Sequence, residues 1–266
     1  MMPAIEVSNS PAKRLAPAQA EVRSISKALD LLCCFSPGHP EWGVTEIAEY
    51  LGLCKSAAHR ILTTCERYGF VDRTSERRYR LGTRVLELGN VCRWDRRLLV
   101  QAEPVLRNLS ERTQSIAHLG VLDGREVLEL QRSSGPKSIL FTESPRFRMS
   151  LHCTGLGKVL LAYGGPRLFD RLIGQCSVLK PFTPYTISAP SELKIEVEKI
   201  ARQGYAIADQ ESVIGCRCIA VPIRNRAGTV VAAVSISNKI EKFDYPLIPH
   251  LLADLYEAAG AIQREL

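Results

Sequence analysis

Apolar positions recur at helical intervals in the first third of the chain and mostly at strand intervals afterwards. Ile25, Ala28, Leu29, Leu32 and Phe35 follow Ser24, which stands where an N-cap belongs, and predict a first amphipathic helix. After a turn-forming stretch with Pro37, Gly38, Pro40 and Gly43, Thr45 is placed to cap a short helix through Tyr50. Ile47, Ala48 and Leu51 form its apolar side and Gly52 stops it. A third helix, from about Lys55 to Tyr68, sets Ala58, Ile61, Leu62 and Cys65 at i, i+3, i+4 and i+7. Its opposite face holds Ser56, His59, Arg60, Thr63 and Arg67. Two short helices joined by a tight turn containing Gly, the second with a polar and basic face, form the pattern of a helix-turn-helix.

Phe70 to Arg73 and Arg78 to Leu81 then read as two short strands around the polar turn Thr74 to Arg77, a basic hairpin wing. Thr83 to Arg97 carries Val85, Leu88 and Cys92 at near-heptad spacing. It predicts an interdomain helix with a pairing face, weakened by about 1 kcal/mol at Gly89. Beyond it the texture changes. Ser115 to Leu122 and Glu126 to Arg132 are apolar strand candidates around Asp123-Gly124, a strong hairpin signal. Helices are expected at Gly155 to Tyr163, Arg167 to Ile173 and Ser191 to Gln203. Strands return at Tyr205 to Asp209, Cys218 to Arg224 and Val230 to Ser237, with a turn at Arg226 to Gly228. A C-terminal helix with Leu251, Leu252, Leu255, Ala258 and Ile262 closes the chain. Strands, then helices, then strands predict an α+β domain with its helices on one side of a sheet.

Composition narrows the function. Of 266 residues, 45% are hydrophobic and 24% charged, as in ordinary globular chains. The net charge of +7 is concentrated between Cys54 and Arg84, where eight Lys and Arg face three Asp and Glu. Such a stripe marks an anionic partner, nucleic acid before membrane, although charge alone does not separate it from a solvated helix face. No apolar run approaches the ~18 residues of a membrane helix. The first twenty residues hold Pro3, Pro11 and Pro17 without a continuous apolar core, so they read as a disordered tail rather than a secretory signal, and the cytoplasm is expected. The nine cysteines are odd in number and lack C-x2-C pairs, so neither a disulfide framework nor a structural metal site is indicated.

The strings Ser26-Lys-Ala-Leu-Asp-Leu-Leu32, Thr45-Glu-Ile-Ala-Glu-Tyr-Leu-Gly-Leu53, Lys55-Ser-Ala-Ala-His-Arg-Ile-Leu62 and Arg78-Tyr-Arg-Leu-Gly82 stand in the first half. Leu151-His-Cys-Thr-Gly-Leu-Gly-Lys158, Gly204-Tyr-Ala206, Glu211, Gly215-Cys-Arg-Cys-Ile-Ala-Val-Pro222 and Ala232-Ala-Val-Ser-Ile-Ser237 stand in the second. In order and spacing, from Ser24 onward, the chain resembles the isocitrate lyase regulator (IclR) family of bacterial transcription factors. The resemblance implies a disordered tail over 1–22, a winged helix-turn-helix DNA-binding domain over 23–82 and a linker helix over 83–97. Residues 98–266 would form a GAF- or profilin-like effector-binding domain. It further implies homodimers that can pair into tetramers, near-palindromic operators on double-stranded DNA, and a small organic acid as effector. No cofactor or membrane partner is implied.

The third helix would enter the major groove, with Thr45, Lys55, Ser56, His59, Arg60 and Thr63 as the contact set, while Arg77, Arg78 and Arg80 on the wing would hold phosphate or minor groove. Carried over by position, the effector pocket maps onto Gly155 and Leu156 at a helix N-terminus, Cys218, Ser235 and Ser237. A helix end with close glycines favours a carboxylate, although glycines there also serve close packing. Where some members carry a carboxylate this chain has Ala208, with Asp209 one residue later, so Asp209 is a ligand candidate whose facing is in question. The loss of that carboxylate favours a larger or aromatic acid. Gly155-Leu-Gly-Lys158 does not have P-loop spacing. Two other readings stand beside effector sensing: a metal- or redox-sensing regulator using Cys216 and Cys218, and a thiol enzyme built on Cys153 with His152.

Overall fold

The computed structural model describes residues 22–36, 38–91, 96–135 and 148–266; the expected tail through 21 and positions 92–95 of the expected linker helix lie outside them. The chain divides into two compact units, Met1–Trp94 and Asp95–Leu266.

The first unit runs α1 (Arg23–Leu32), β1 (Glu41–Trp42), α2 (Val44–Tyr50), α3 (Lys55–Arg67), β2 (Val71–Arg73), β3 (Tyr79–Leu81) and α4 (Thr83–Val91). Its core joins Leu31, Trp42, Ile47, Ala48, Ala58, Leu62, Val71 and Tyr79. The wing has three strands rather than two. Trp42 pairs with Tyr79 on one side of β3, and Asp72 pairs with Arg80 on the other. Trp42 Nε1 also donates to the Cys34 carbonyl at 3.1 Å, which pins β1 to the end of α1.

Both capping expectations are corrected. Helix α1 starts after Val22 and Ser24 lies within its first turn, without a side-chain cap. Helix α2 starts after Gly43, whose N–H donates to the Glu46 carboxylate at 3.0 Å. Glu46 reaching back to the N-cap N–H does the work assigned to Thr45, which sits inside the helix. The expected core face of α1 also differs, since Leu31 is fully buried while Ile25 and Leu29 stand 57% exposed.

The second unit runs α5 (Arg96–Thr113), β4 (Ile116–Asp123), β5 (Glu126–Ser134), β6 (Arg148–Ser150), α6 (Gly155–Phe169), α7 (Pro190–Gln203), β7 (Ala206–Asp209), β8 (Cys216–Arg224), β9 (Val230–Lys239) and α8 (Ile248–Gln263). Six antiparallel strands form one sheet in the order β6-β5-β4-β9-β8-β7. The fold is α+β as expected, but helices cover both faces. Leu119, Val121, Ile219, Val221, Val234 and Ile236 pack against Leu106 and Leu109 of α5 and Leu255 and Ile262 of α8. Val127, Ala206, Ala220 and Ala233 point the other way, to Leu156 and Val159 of α6 and Leu193 and Ile200 of α7. Strands covered on both sides carry near-continuous apolar runs. That is the composition of β8 and β9, whose central residues are buried one after another. Helix α5, with Pro104 inside it, is the element missing from the one-sided reading.

Candidate functional site

In the first unit the site begins with the orientation of α3. Ala58 and Leu62 are fully buried and Cys65 nearly so. Burying one Leu contributes about 1.5–3 kcal/mol, so the helix cannot roll without losing more than a surface contact returns. Lys55, Ser56, His59, Arg60 and Thr63 are therefore left exposed together on the opposite face. Thr45 is exposed at the start of α2. On the wing, Arg77 occupies the turn with φ of 61° and, like Arg80, is exposed. Among the described residues no ion pair engages Lys55, Arg60, Arg77 or Arg80. Four free cations on one recognition helix and its wing make a surface for an anionic polymer.

Arg78 is a correction. Its guanidinium donates to Glu46 Oε2 at 2.7 Å, Glu46 Oε1 at 3.1 Å and the Glu41 carbonyl at 3.1 Å. Three of its five N–H donors are spent on a carboxylate and a carbonyl, and its charge is matched by Glu46, so it is a weaker phosphate ligand than its unpaired neighbours. Arg78 holds β3 to β1 and α2.

In the second unit, register places the other candidates. On the sheet face turned to α6, one row crosses Arg132, His118, Ser235, Ala220 and Ala206, and the next crosses Ser237, Cys218 and Ala208. Small side chains dominate, and the N-terminus of α6 settles on them. A Cβ at Gly155 would lie 3.0 Å from Cys218 Sγ and 3.1 Å from Ala220 Cβ, and one at Gly157 would lie 2.3 Å from the Leu151 carbonyl oxygen. Both glycines thus allow close packing. Thr154 caps the helix, its Oγ1 accepting from Gly157 N at 3.1 Å and its carbonyl from Lys158 N at 3.0 Å. Gly155 N–H faces the Cys218 sulfur. Leu156 N–H has no acceptor among the described residues. An open N–H at the positive end of a helix favours an anion. Beside it, Ser235 Oγ is buried without an oxygen or nitrogen partner among the described residues, its neighbour being the Cys218 thiol. A neutral thiol is a weak acceptor, and the nearby Cys218 leaves that hydroxyl free for a better one.

A polar network that the apolar texture of the strands hides stands next to Ser235. His118 Nδ1 lies 2.5 Å from Glu129 Oε1, and His118 Nε2 lies 2.8 Å from Ser237 Oγ. Arg132 grips the same Glu129 with Nε at 3.1 Å and Nη2 at 2.8 Å. Burial pushes the Glu129 carboxyl up, but hydrogen bonds from His118 and Arg132 and the charge of Arg132 outweigh it and hold the group below its ordinary value. The register shift between Leu119 and Gly120 brings Glu129 and Arg132 onto one face. The signal in the sequence was a lone His and a lone Glu inside two apolar strands. Lys158 is the second such group, 1% exposed, with Nζ donating to Glu211 Oε1 at 2.7 Å and to the Ile207 carbonyl at 2.6 Å.

Asp209 is corrected. It lies on the reverse face of β7, where its carboxylate takes Arg217 Nη2 at 2.8 Å and the Tyr245 hydroxyl at 3.0 Å. Ala208 is the residue that faces Cys218. One step along a strand turns the side chain over. The thiol alternatives draw no support from the cysteines' surroundings. Burial pushes Cys153 and Cys216 up to about 12 and raises Cys218, which favours the thiol over the thiolate that a nucleophile or metal ligand uses. His152 spends Nε2 on the Lys180 carbonyl at 2.9 Å. Among the described residues no three His, Cys, Asp or Glu converge on a metal position. No described helix is long and apolar enough to cross a membrane.

Comparison with known proteins places this geometry. Residues 24–75 match the IclR helix-turn-helix domain, and residues 95–264 match the C-terminal domain of bacterial transcriptional regulator IclR. The chain is 31% identical to the HTH-type transcriptional regulator XynR of Escherichia coli, over 92% of this chain and 97% of that one. It is 33% identical to the regulator BhcR of Paracoccus denitrificans, over 81% and 77%. The crystal structure of an IclR homolog from Microbacterium hydrocarbonoxydans, complexed with 4-hydroxybenzoate, superposes with a TM-score of 0.79 at 27% identity, covering 91% of this chain and 98% of that one. With a helix-turn-helix unit and an effector-type unit both matched, the chain belongs to the IclR family of DNA-binding transcriptional regulators.

Proposed function

We propose that the protein controls a catabolic operon by binding a near-palindromic operator as a homodimer, able to pair into tetramers, and by sensing a small organic acid. The observation that carries the reading is the coexistence of two unsatisfied surfaces: the unpaired cations Lys55, Arg60, Arg77 and Arg80, and the open Leu156 N–H beside the partnerless Ser235 hydroxyl. A single recognition helix spans too few base pairs for a specific site, and two-fold symmetry supplies the second. On α4 the side chains of Leu88 and Val91, three residues apart on one face, stand 54% and 78% exposed, a face suited to a second copy.

Ala208 in place of a carboxylate makes the pocket less polar and favours an aromatic acid, in line with the 4-hydroxybenzoate in the Microbacterium structure. The test is footprinting of the chain on the DNA flanking its own gene, with and without a panel of aliphatic and aromatic acids. Protection of an inverted repeat that one acid strengthens or releases is the expected result. Protection unchanged by every acid removes the effector reading, and no protected sequence removes the operator.

A further inference from the structure

We propose that His118 reads the effector and takes up a proton as an anionic acid binds, so that the site selects carboxylates over their neutral analogues. This rests on the effector reading above and adds the regulation of that site.

Glu129 is a carboxylate and can only accept, so His118 Nδ1, 2.5 Å from it, carries a hydrogen. The other ring nitrogen, Nε2, faces Ser237 Oγ at 2.8 Å, and that hydroxyl has one proton to give. While the imidazole is neutral, Ser237 must donate to Nε2. An incoming carboxylate is also acceptor only. If Ser237 turns its proton to the ligand, Nε2 and Oγ are left as two acceptors facing each other, unless Nε2 gains a hydrogen. One proton from solvent converts the ring to imidazolium, which donates to Glu129 and to Ser237, while Ser237 donates to the ligand. No bond to carbon forms or breaks, and the complex gains one proton per site.

The charges around His118 permit this. Glu129 on β5 is already matched by Arg132, so the new positive charge is balanced by the ligand's carboxylate rather than by the protein. On β9, Ser235 lies directly opposite His118 in the register, 1% exposed and with its hydroxyl unpartnered, a second donor for the same anion. On β8 the Cys218 thiol is neutral, and on β7 Ala208 brings no charge. From α6 come the Gly155 and Leu156 N–H groups and Lys158, whose ammonium is matched by Glu211 and Glu196. Among the described residues no unpaired carboxylate competes for the imidazolium.

The test is calorimetric titration of the full chain near neutral pH with 4-hydroxybenzoate, and with pyruvate as the aliphatic probe, in buffers of different ionisation heat. The dependence of apparent enthalpy on the buffer should report uptake approaching one proton per site, and 4-hydroxybenzamide should bind without uptake and roughly 10- to 100-fold more weakly. His118→Gln should abolish the uptake and erase most of the acid-over-amide preference. Ser237→Ala keeps the imidazole but removes the shared hydroxyl, so it should also bind without uptake; it serves if His118→Gln does not fold. Binding without uptake by the native chain overturns the proton step and leaves the acid site standing. Uptake that survives in either variant overturns the assignment to His118. If these two and every other acid of the panel fail to bind, the effector reading itself falls, and this inference with it.

Discussion

Arg78, immediately before β3, and Glu46 on α2 hold each other through two hydrogen bonds, at 2.7 and 3.1 Å, and the same Glu46 accepts the Gly43 N–H that opens α2. Helix cap and wing are thereby one piece. Arg78→Gln should lower the melting temperature. The bonds from Arg78 and Gly43 hold the Glu46 carboxyl below its ordinary value, so its contribution is present above the usual carboxylate range and lost as pH falls through the folded value. The deficit of Arg78→Gln should therefore hold from neutral pH down to about pH 4.5 and shrink only below that in melting curves. The salt slope of DNA binding should stay unchanged in Arg78→Gln and flatten by about one in Arg80→Gln. A slope flattened by Arg78→Gln would return that residue to the phosphate class.

Arg60 sits on the exposed face of α3 with no ion pair among the described residues. Its fork suits a guanine edge, and Arg60→Ala should cost about 1–3 kcal/mol on the operator and much less on random duplex. Binding isotherms on both duplexes at one salt concentration decide it. Equal losses would make Arg60 a phosphate contact.

The helical period made α2, α3 and the wing readable, because in a small unit each helix has one apolar stripe and one core to bury it in. It misled at α1, where Ile25 and Leu29 fall on the stripe but stay exposed while Leu31 fills the core. In the second unit period 2 found the strands and missed the second helical layer, since residues buried on both faces do not alternate. The candidate site was legible at the glycine-opened start of α6 and, through the family resemblance alone, at Cys218 and Ser235. His118, Glu129 and Arg132 meet only because antiparallel pairing and a register shift bring β4 and β5 together. No local spacing encodes that meeting, and the reversal of Asp209 is likewise a matter of strand parity.

The exposed Leu88 and Val91, on one face of α4, carry the dimer expectation. Leu88→Glu should shift the chain from dimer to monomer in sedimentation at micromolar concentration. Operator affinity should drop with it while weak binding to random duplex persists, because the cations of each monomer are untouched. A native chain that is monomeric both free and on DNA would remove the two-fold model.

Lys158 and Glu211 form a buried pair in which both partners are under one-tenth exposed. Burial pushes the Glu211 carboxyl up, and Lys158 offsets only part of that. Lys158→Met strips the compensation and should destabilise the second unit by roughly 3–5 kcal/mol in denaturant titrations. Adding Glu211→Leu should restore most of the loss, since an apolar pair of similar volume avoids both desolvation terms. A double variant no better than the single would show that the ion pair is not where the energy resides.

Ser235 carries the last prediction because it is the one buried hydroxyl on the α6-facing rows left without a partner among the described residues. A buried hydroxyl without a bond costs about 1–3 kcal/mol, and a carboxylate seated against it and Leu156 N–H removes that cost on binding. An acid at about 100 times its dissociation constant should stabilise the native state by about 2.7 kcal/mol, which a thermal-shift screen resolves. Ser235→Ala should lose most of the shift for the true effector. It should also leave the ligand-free protein as stable as before or slightly more so, since the orphaned hydroxyl is gone. DNA binding without ligand should not change. A variant that keeps the full thermal shift would place the acid elsewhere on the second unit. A variant that loses stability without ligand would mean that the hydroxyl is satisfied by bound water and is not waiting for an effector.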